Sequence, residues 1–170
     1  NFITSNIDFT NLTTKDIIVS KSESENAKLW SYRESIPLAE KKENFIIAHD
    51  VSIPLNMMNK FVKKTTKEIK KFEKHTRIIN FGHLGDNNLH FNVLVTSYNS
   101  NTKKSFIRSI NRIVFNNVNH FRGAISAEHG IGQLRRNELK LFKNRDELEK
   151  MKILKKAFDP MNILNPGKVL

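Results

Sequence analysis

The stretch Ile79-Asn80-Phe81-Gly82-His83-Leu84-Gly85-Asp86-Asn87-Asn88-Leu89-His90-Phe91-Asn92-Val93 carries turn residues at its centre and apolar, strand-like residues on both flanks. It predicts an antiparallel hairpin across residues 77–95. With Asp86-Asn87 as a two-residue turn, Gly85 pairs with Asn88, Leu84 with Leu89 and His83 with His90. Leu84, Leu89, Phe91 and Val93 then face a core, and His83, His90 and Asn92 share the polar face. Cβ atoms of directly opposed residues lie roughly 5 Å apart, and two imidazoles at that spacing can close on one metal ion. A third ligand candidate, Glu128, stands in Gly123-Ala124-Ile125-Ser126-Ala127-Glu128-His129-Gly130-Ile131-Gly132-Gln133. Its glycines allow close backbone approach, and the adjacent carboxylate and imidazole can divide metal ligation and proton transfer between them.

Working outward, Asp16–Ser20 reads as a short strand after a polar, irregular start. Ser22 or Ser24 caps a helix through Trp30 to about Ile36, and Pro37 ends or bends it. Residues 44–53 read as a strand, and Pro54 opens a helix in which Met58, Phe61, Val62, Ile69 and Phe72 recur at helical spacing. A second long helix carries Phe106, Ile110, Ile113, Val114, Val118 and Phe121 on one stripe. A third begins at Asp146, with Leu148, Met151, Leu154 and Phe158 facing inward. The predicted class is α+β: an antiparallel sheet with helices packed on one face, in a ferredoxin-like arrangement.

The 170 residues suit a single domain with a sizeable core. No apolar run approaches the roughly 20 residues of a membrane span. The first residues lack the pattern of a signal peptide, and there is no initiator Met, as in a fragment or a processed piece. Cysteine is absent, which excludes disulfides and thiolate metal sites and fits a reducing compartment. The net charge of +12 invites an anionic partner such as nucleic acid. The lysines are instead scattered over helix faces without a stacking platform, so solvated faces explain them better. No phosphate-binding glycine loop is present.

Three motifs carry a family resemblance: residues 82–93, residues 124–139 and the terminal Ala157-Phe158-Asp159-Pro160-Met161-Asn162-Ile163-Leu164-Asn165-Pro166-Gly167-Lys168-Val169-Leu170. They resemble the C-terminal domain of FAD-linked oxidases, the group of D-2-hydroxyglutarate dehydrogenase, D-lactate dehydrogenase and the glycolate oxidase D subunit. Leu29–Ile36 and His49–Pro54 fall in the same order. The resemblance covers residues 16–170, and implies that residues 1–170 form one substrate-cap domain whose FAD-binding half is absent. FAD would be held by the missing N-terminal domain. A divalent metal, Zn or Mn, would be held by His83, His90 and Glu128. His129 would be the catalytic base, Asn92 and Arg33 would bind substrate, and Asn165 and Lys168 would lie in the tail that returns towards the cofactor domain. The implied partners are a small 2-hydroxy-acid substrate, a FAD-binding domain or chain and a downstream electron acceptor. Nucleic acid is not among them, and a homodimer is left open. The implied location is the cytoplasm or, peripherally, the inner face of a membrane.

The chemistry requires these residue types. A metal can lower the pKa of an α-hydroxyl and an imidazole can take its proton. A guanidinium fork suits a planar carboxylate. The family's hydroxyl residue after Arg33-Glu34 is Pro37 here, and its Lys before His49 is Ala48. Both help bind substrate carboxylates in several members, so their replacement weakens the case for a dicarboxylate and leaves a non-catalytic subunit as the alternative.

Overall fold

The computed structural model describes residues 18–43, 45–96 and 103–170. They fall in two compact units, Asn1–Lys42 and Glu43–Leu170.

The first unit is built on one helix, α1 (Glu23–Glu40). Ser22 caps it by accepting the Glu25 N–H. Pro37 does not end the helix, which runs on to Glu40. It sits in the last turn, where one missing N–H removes a single bond, and its carbonyl still accepts the Lys41 N–H. The proposed strand at Asp16–Ser20 lies partly outside the described residues, and Ile18–Ser20 are not extended into a sheet.

The second unit orders β1 (Ile46–Ile47), β2 (Asp50–Ser52), α2 (Leu55–Phe72), β3 (Thr76–Phe81), β4 (Asn88–Val95), α3 (Lys103–His120), α4 (Arg136–Phe142) and α5 (Arg145–Phe158). Strand β4 is central. Strands β1 and β2 pair with one edge of it and β3 with the other, all antiparallel. Ile47 faces Val93 and Asp50 faces His90, so β1 and β2 keep one register and act as one interrupted strand.

Alternation assigns the faces. Ile47, Val51, Leu89, Phe91, Val93 and Val95 are buried on one side. There they meet Phe61 and Ile69 of α2 and Ile110, Val114 and Val118 of α3. Phe61 packs edge-on against Phe91 at 5.5 Å. Each fully buried side chain of this size contributes about 1.5–3 kcal/mol of transfer free energy. This is the α+β architecture expected, an antiparallel sheet with helices on one face. Residues of opposite parity, among them Asp50, Phe81 and His90, stand on the face turned away from these helices.

His49 is on the helix face and 1% exposed. Its Nδ1 lies 2.9 Å from the Phe91 carbonyl and its Nε2 2.9 Å from the Asn111 side-chain amide. Burial, only partly offset by these hydrogen bonds, lowers its pKa from 6.5 to about 4. The folded state therefore keeps the ring neutral while the unfolded chain binds a proton below about pH 6.5. Stability should fall by about 2 kcal/mol from this group between roughly pH 7.5 and pH 5. Urea midpoints at the two pH values check it, and a flat profile would contradict it.

Candidate metal centre

The hairpin does not pair the two imidazoles as predicted. Phe81, not His83, is the partner of His90. Strand β3 stops at Phe81, and at Gly82 the chain passes so close to the Asn88 carbonyl that a Cβ there would lie 2.3 Å from it. The chain then runs through a 3₁₀ turn, Leu84–Asp86, and turns back at Asn87 in the left-handed region (φ 61°). The Asn88 N–H donates to the His83 carbonyl at 3.2 Å, closing this wider connection. Leu84, expected in the core, is consequently exposed.

Glu128 arrives from the loop after α3. Gly123 packs so tightly under β2 that a Cβ there would lie 2.3 Å from the Ser52 carbonyl. This approach lets Ala124 bond Ser52 in both directions, N–H to carbonyl at 2.8 and 3.0 Å. From there the chain crosses the Asp50 carboxylate. Asp50 Oδ2 accepts the N–H groups of Ala127 (3.2 Å), Glu128 (2.8 Å) and His129 (2.8 Å), and Oδ1 accepts from Asn88 Nδ2 at 2.8 Å. Burial opposes the charge on Asp50, but the N–H donors of His129 and Glu128, the His129 ring and the Ala127 N–H outweigh it and hold its pKa below the ordinary carboxylate value.

The result is a convergence on the open sheet face. Glu128 Oε1 lies 3.7 Å from His83 Nε2, and Glu128 Oε2 lies 3.5 Å from His90 Nε2. These separations are long for hydrogen bonds. Each is close to the roughly 3.3 Å that separates donors about 2 Å from a tetrahedral metal, and the two contacts use different Glu128 oxygens. The His90 ring is flanked by Phe81 (4.8 Å) and His129 (5.8 Å). Among the described residues, the group whose ligand atoms all lie within 4.8 Å of one another is Asp50, His90, Glu128 and His129, and His83 of the predicted trio stands outside it. The Asp50 oxygens are already committed to four N–H donors, which makes Asp50 an anchor of the loop. The ring nitrogens of His83 and His90 contact the Glu128 carboxylate, which carries none of these N–H bonds.

The other residues singled out in the sequence are distributed more widely. His129 is 71% exposed beside the cluster. Asn92 shares the face of His90 but is buried, and its side-chain oxygen accepts the His49 N–H at 3.2 Å. Arg33 belongs to α1 in the other unit. In the tail, Asn165 has positive φ (46°) and Lys168 donates to Gln133 at 3.1 Å. The Val169 N–H donates to the Gly132 carbonyl, so the tail lies against the loop that follows His129. Asp50 was not singled out. Its place opposite His90 follows from a pairing of distant strands that no local pattern shows.

Residues 8–169 match the family described as FAD linked oxidases, C-terminal domain. A D-2-hydroxyglutarate dehydrogenase of Stutzerimonas stutzeri is 34% identical over 91% of this chain and 33% of its own length. The mitochondrial D-2-hydroxyglutarate dehydrogenase of Arabidopsis thaliana is 31% identical over 91% of this chain and 26% of its own. A Schizosaccharomyces pombe protein named a candidate mitochondrial D-lactate dehydrogenase is 33% identical over 90% of this chain and 30% of its own. The chain thus spans about a third or less of the length of these relatives. With residues 8–169 inside the match, this chain belongs to the C-terminal domain family of the FAD linked oxidases.

Proposed function

We propose that the chain is the substrate- and metal-binding cap of a flavin-dependent D-2-hydroxy-acid dehydrogenase, which oxidises the hydroxyl to a 2-oxo acid with FAD as the acceptor of the two electrons. The observation that carries the reading is the placement of the Glu128 carboxylate between His83 and His90 at 3.7 and 3.5 Å. A divalent ion, Zn or Mn, held there would polarise the substrate hydroxyl and favour its ionisation. His129, exposed next to that point, is the group that takes the hydroxyl proton on an imidazole nitrogen. Asp50 keeps Glu128 and His129 aimed by fixing their backbone N–H groups. Arg33 is assigned to a substrate carboxylate and Asn92 to substrate by their motifs, Asn165 and Lys168 to the cofactor side by theirs. FAD itself would be held by a half of the enzyme outside this sequence.

The test is reassembly. The chain, combined with the FAD-binding half and a divalent metal, should bleach the flavin absorbance when D-lactate, glycolate or D-2-hydroxyglutarate is added. Failure of every 2-hydroxy acid would overturn the catalytic reading. Metal uptake without turnover would favour a non-catalytic subunit, the alternative to which Pro37 and Ala48 point.

A further inference from the structure

Helix α3 packs on the sheet face turned away from the candidate metal centre, and between it and α4 lies a cavity of about 590 Å³. Arg108, Asn111, Arg112 and Asn116 line it from one face of α3, a turn or two apart. Asn137, Glu138, Leu141 and Phe142 line it from α4. Helix α3 contains no Asp or Glu. Among the described residues, Arg108 and Arg112 have no ion-pair partner, and both are exposed. Glu138, the acid in the lining, is paired with Arg135 at 3.8 Å instead. Like charges four residues apart repel and weaken a helix, and an anion bridging them removes the repulsion.

The rest of the lining defines the kind of anion. A guanidinium fork matches the oxygens of a carboxylate or a phosphate. Asn111, Asn116 and Asn137 add primary amides that both donate and accept. Phe115, Leu141 and Phe142 supply an apolar wall, with the Phe115 and Phe142 rings edge to face at 6.0 Å. The volume falls within the roughly 300–1,000 Å³ of small-molecule sites and exceeds what a bare inorganic anion fills. The fitting occupant therefore has an anionic head and an organic body.

We propose that this cavity is a binding site for an organic anion, with its carboxylate or phosphate head between Arg108 and Arg112 and its apolar body against Phe115, Leu141 and Phe142. It is separate from the cluster of His83, His90 and Glu128, which stands on the other face of the sheet. The inner wall of the cavity reaches the chain just before Asp50. Asn111 lies 2.9 Å from His49 Nε2, and the Phe115 ring meets the His49 ring edge-on at 5.5 Å. An occupant touching Asn111 thus changes the surroundings of the buried His49 imidazole, a signal remote from the two arginines.

The experiment is titration of the full chain with adenosine monophosphate, octanoate and inorganic phosphate, followed by NMR of the Asn side-chain amides and the His49 ring. Adenosine monophosphate or octanoate should saturate with a Kd of about 0.1–1 mM, and inorganic phosphate should bind at least roughly 10-fold more weakly. Saturation by the first assigns the head as phosphate and by the second as carboxylate, and either supports the site. Shifts should centre on Asn111, Asn137 and His49. Arg108→Gln and Arg112→Gln should each weaken binding roughly 10-fold without lowering the melting temperature. Lys104→Gln, which removes a charge from α3 outside the cavity, should leave binding unchanged. No saturation by either organic anion, inorganic phosphate binding as tightly as both, or equal losses in all three variants would overturn the proposal. Shifts confined to the Glu128 loop would do the same.

Discussion

Exchanging His129 for glutamine in the reassembled enzyme should lower the rate of flavin reduction by about 10²–10⁴-fold. Glutamine keeps a polar side chain of similar reach but has no nitrogen able to accept a proton. The side chain of His129 is largely exposed, and the bonds that place the residue run through its backbone N–H to Asp50. The exchange should therefore leave folding and metal content alone and act on the chemical step. Stopped-flow bleaching of the flavin, run beside elemental analysis, separates the two. A glutamine variant that reduces flavin at the parent rate with full metal content would remove His129 from the proton path.

Replacing Asp50 with alanine should produce the largest loss outside the ligands themselves. The carboxylate is 6% exposed and answers four N–H donors: three consecutive amides of the Ala127–His129 run and the side chain of Asn88. Each charge-assisted bond of this kind is worth about 1.5–3 kcal/mol, and such values do not add in full. Leaving those donors unanswered should cost about 3–5 kcal/mol of stability in total. The milder Asp50→Asn variant keeps the volume and one oxygen. It should fold, with a modest loss of melting temperature, yet bind divalent metal roughly 10–100-fold less tightly. A purely structural aspartate would show the stability loss without the affinity loss, so metal titration of the folded asparagine variant decides between the roles.

Much of this was legible in order and face. The alternation Leu89-Phe91-Val93 shows which side of β4 enters the core, and by elimination which side His90 occupies. The glycine run around Glu128 signals a loop drawn close to another backbone, and Gly123 supplies that contact. The turn was misread because Gly85-Asp86-Asn87-Asn88 is turn chemistry that suits a two-residue turn at Asp86-Asn87, with Gly85 as the last strand residue. A side chain there would touch nothing, whereas Gly82 is the residue pressed against Asn88. That steric fact depends on the partner strand and has no local signature. Asp50 escaped for a related reason: its partners lie 77–79 positions away, beyond any spacing rule. Helix α4 (Arg136–Phe142) went unseen inside a motif read as loop, being too short to display a period. For α5 the periodicity was correct, and the inference that it faces the core was not, since an apolar stripe does not state what covers it.

The most direct measurement is divalent-metal content and affinity of the purified chain beside a His90→Ala variant, after removal of adventitious ions and titration with zinc and manganese. His90 is the most enclosed of the three proposed ligands, 13% exposed, and stands 3.5 Å from Glu128. The parent chain should bind about one ion, and the variant should lose roughly two orders of magnitude or more in affinity. Equal stoichiometry and affinity in the two proteins would contradict a metal centre at His83, His90 and Glu128.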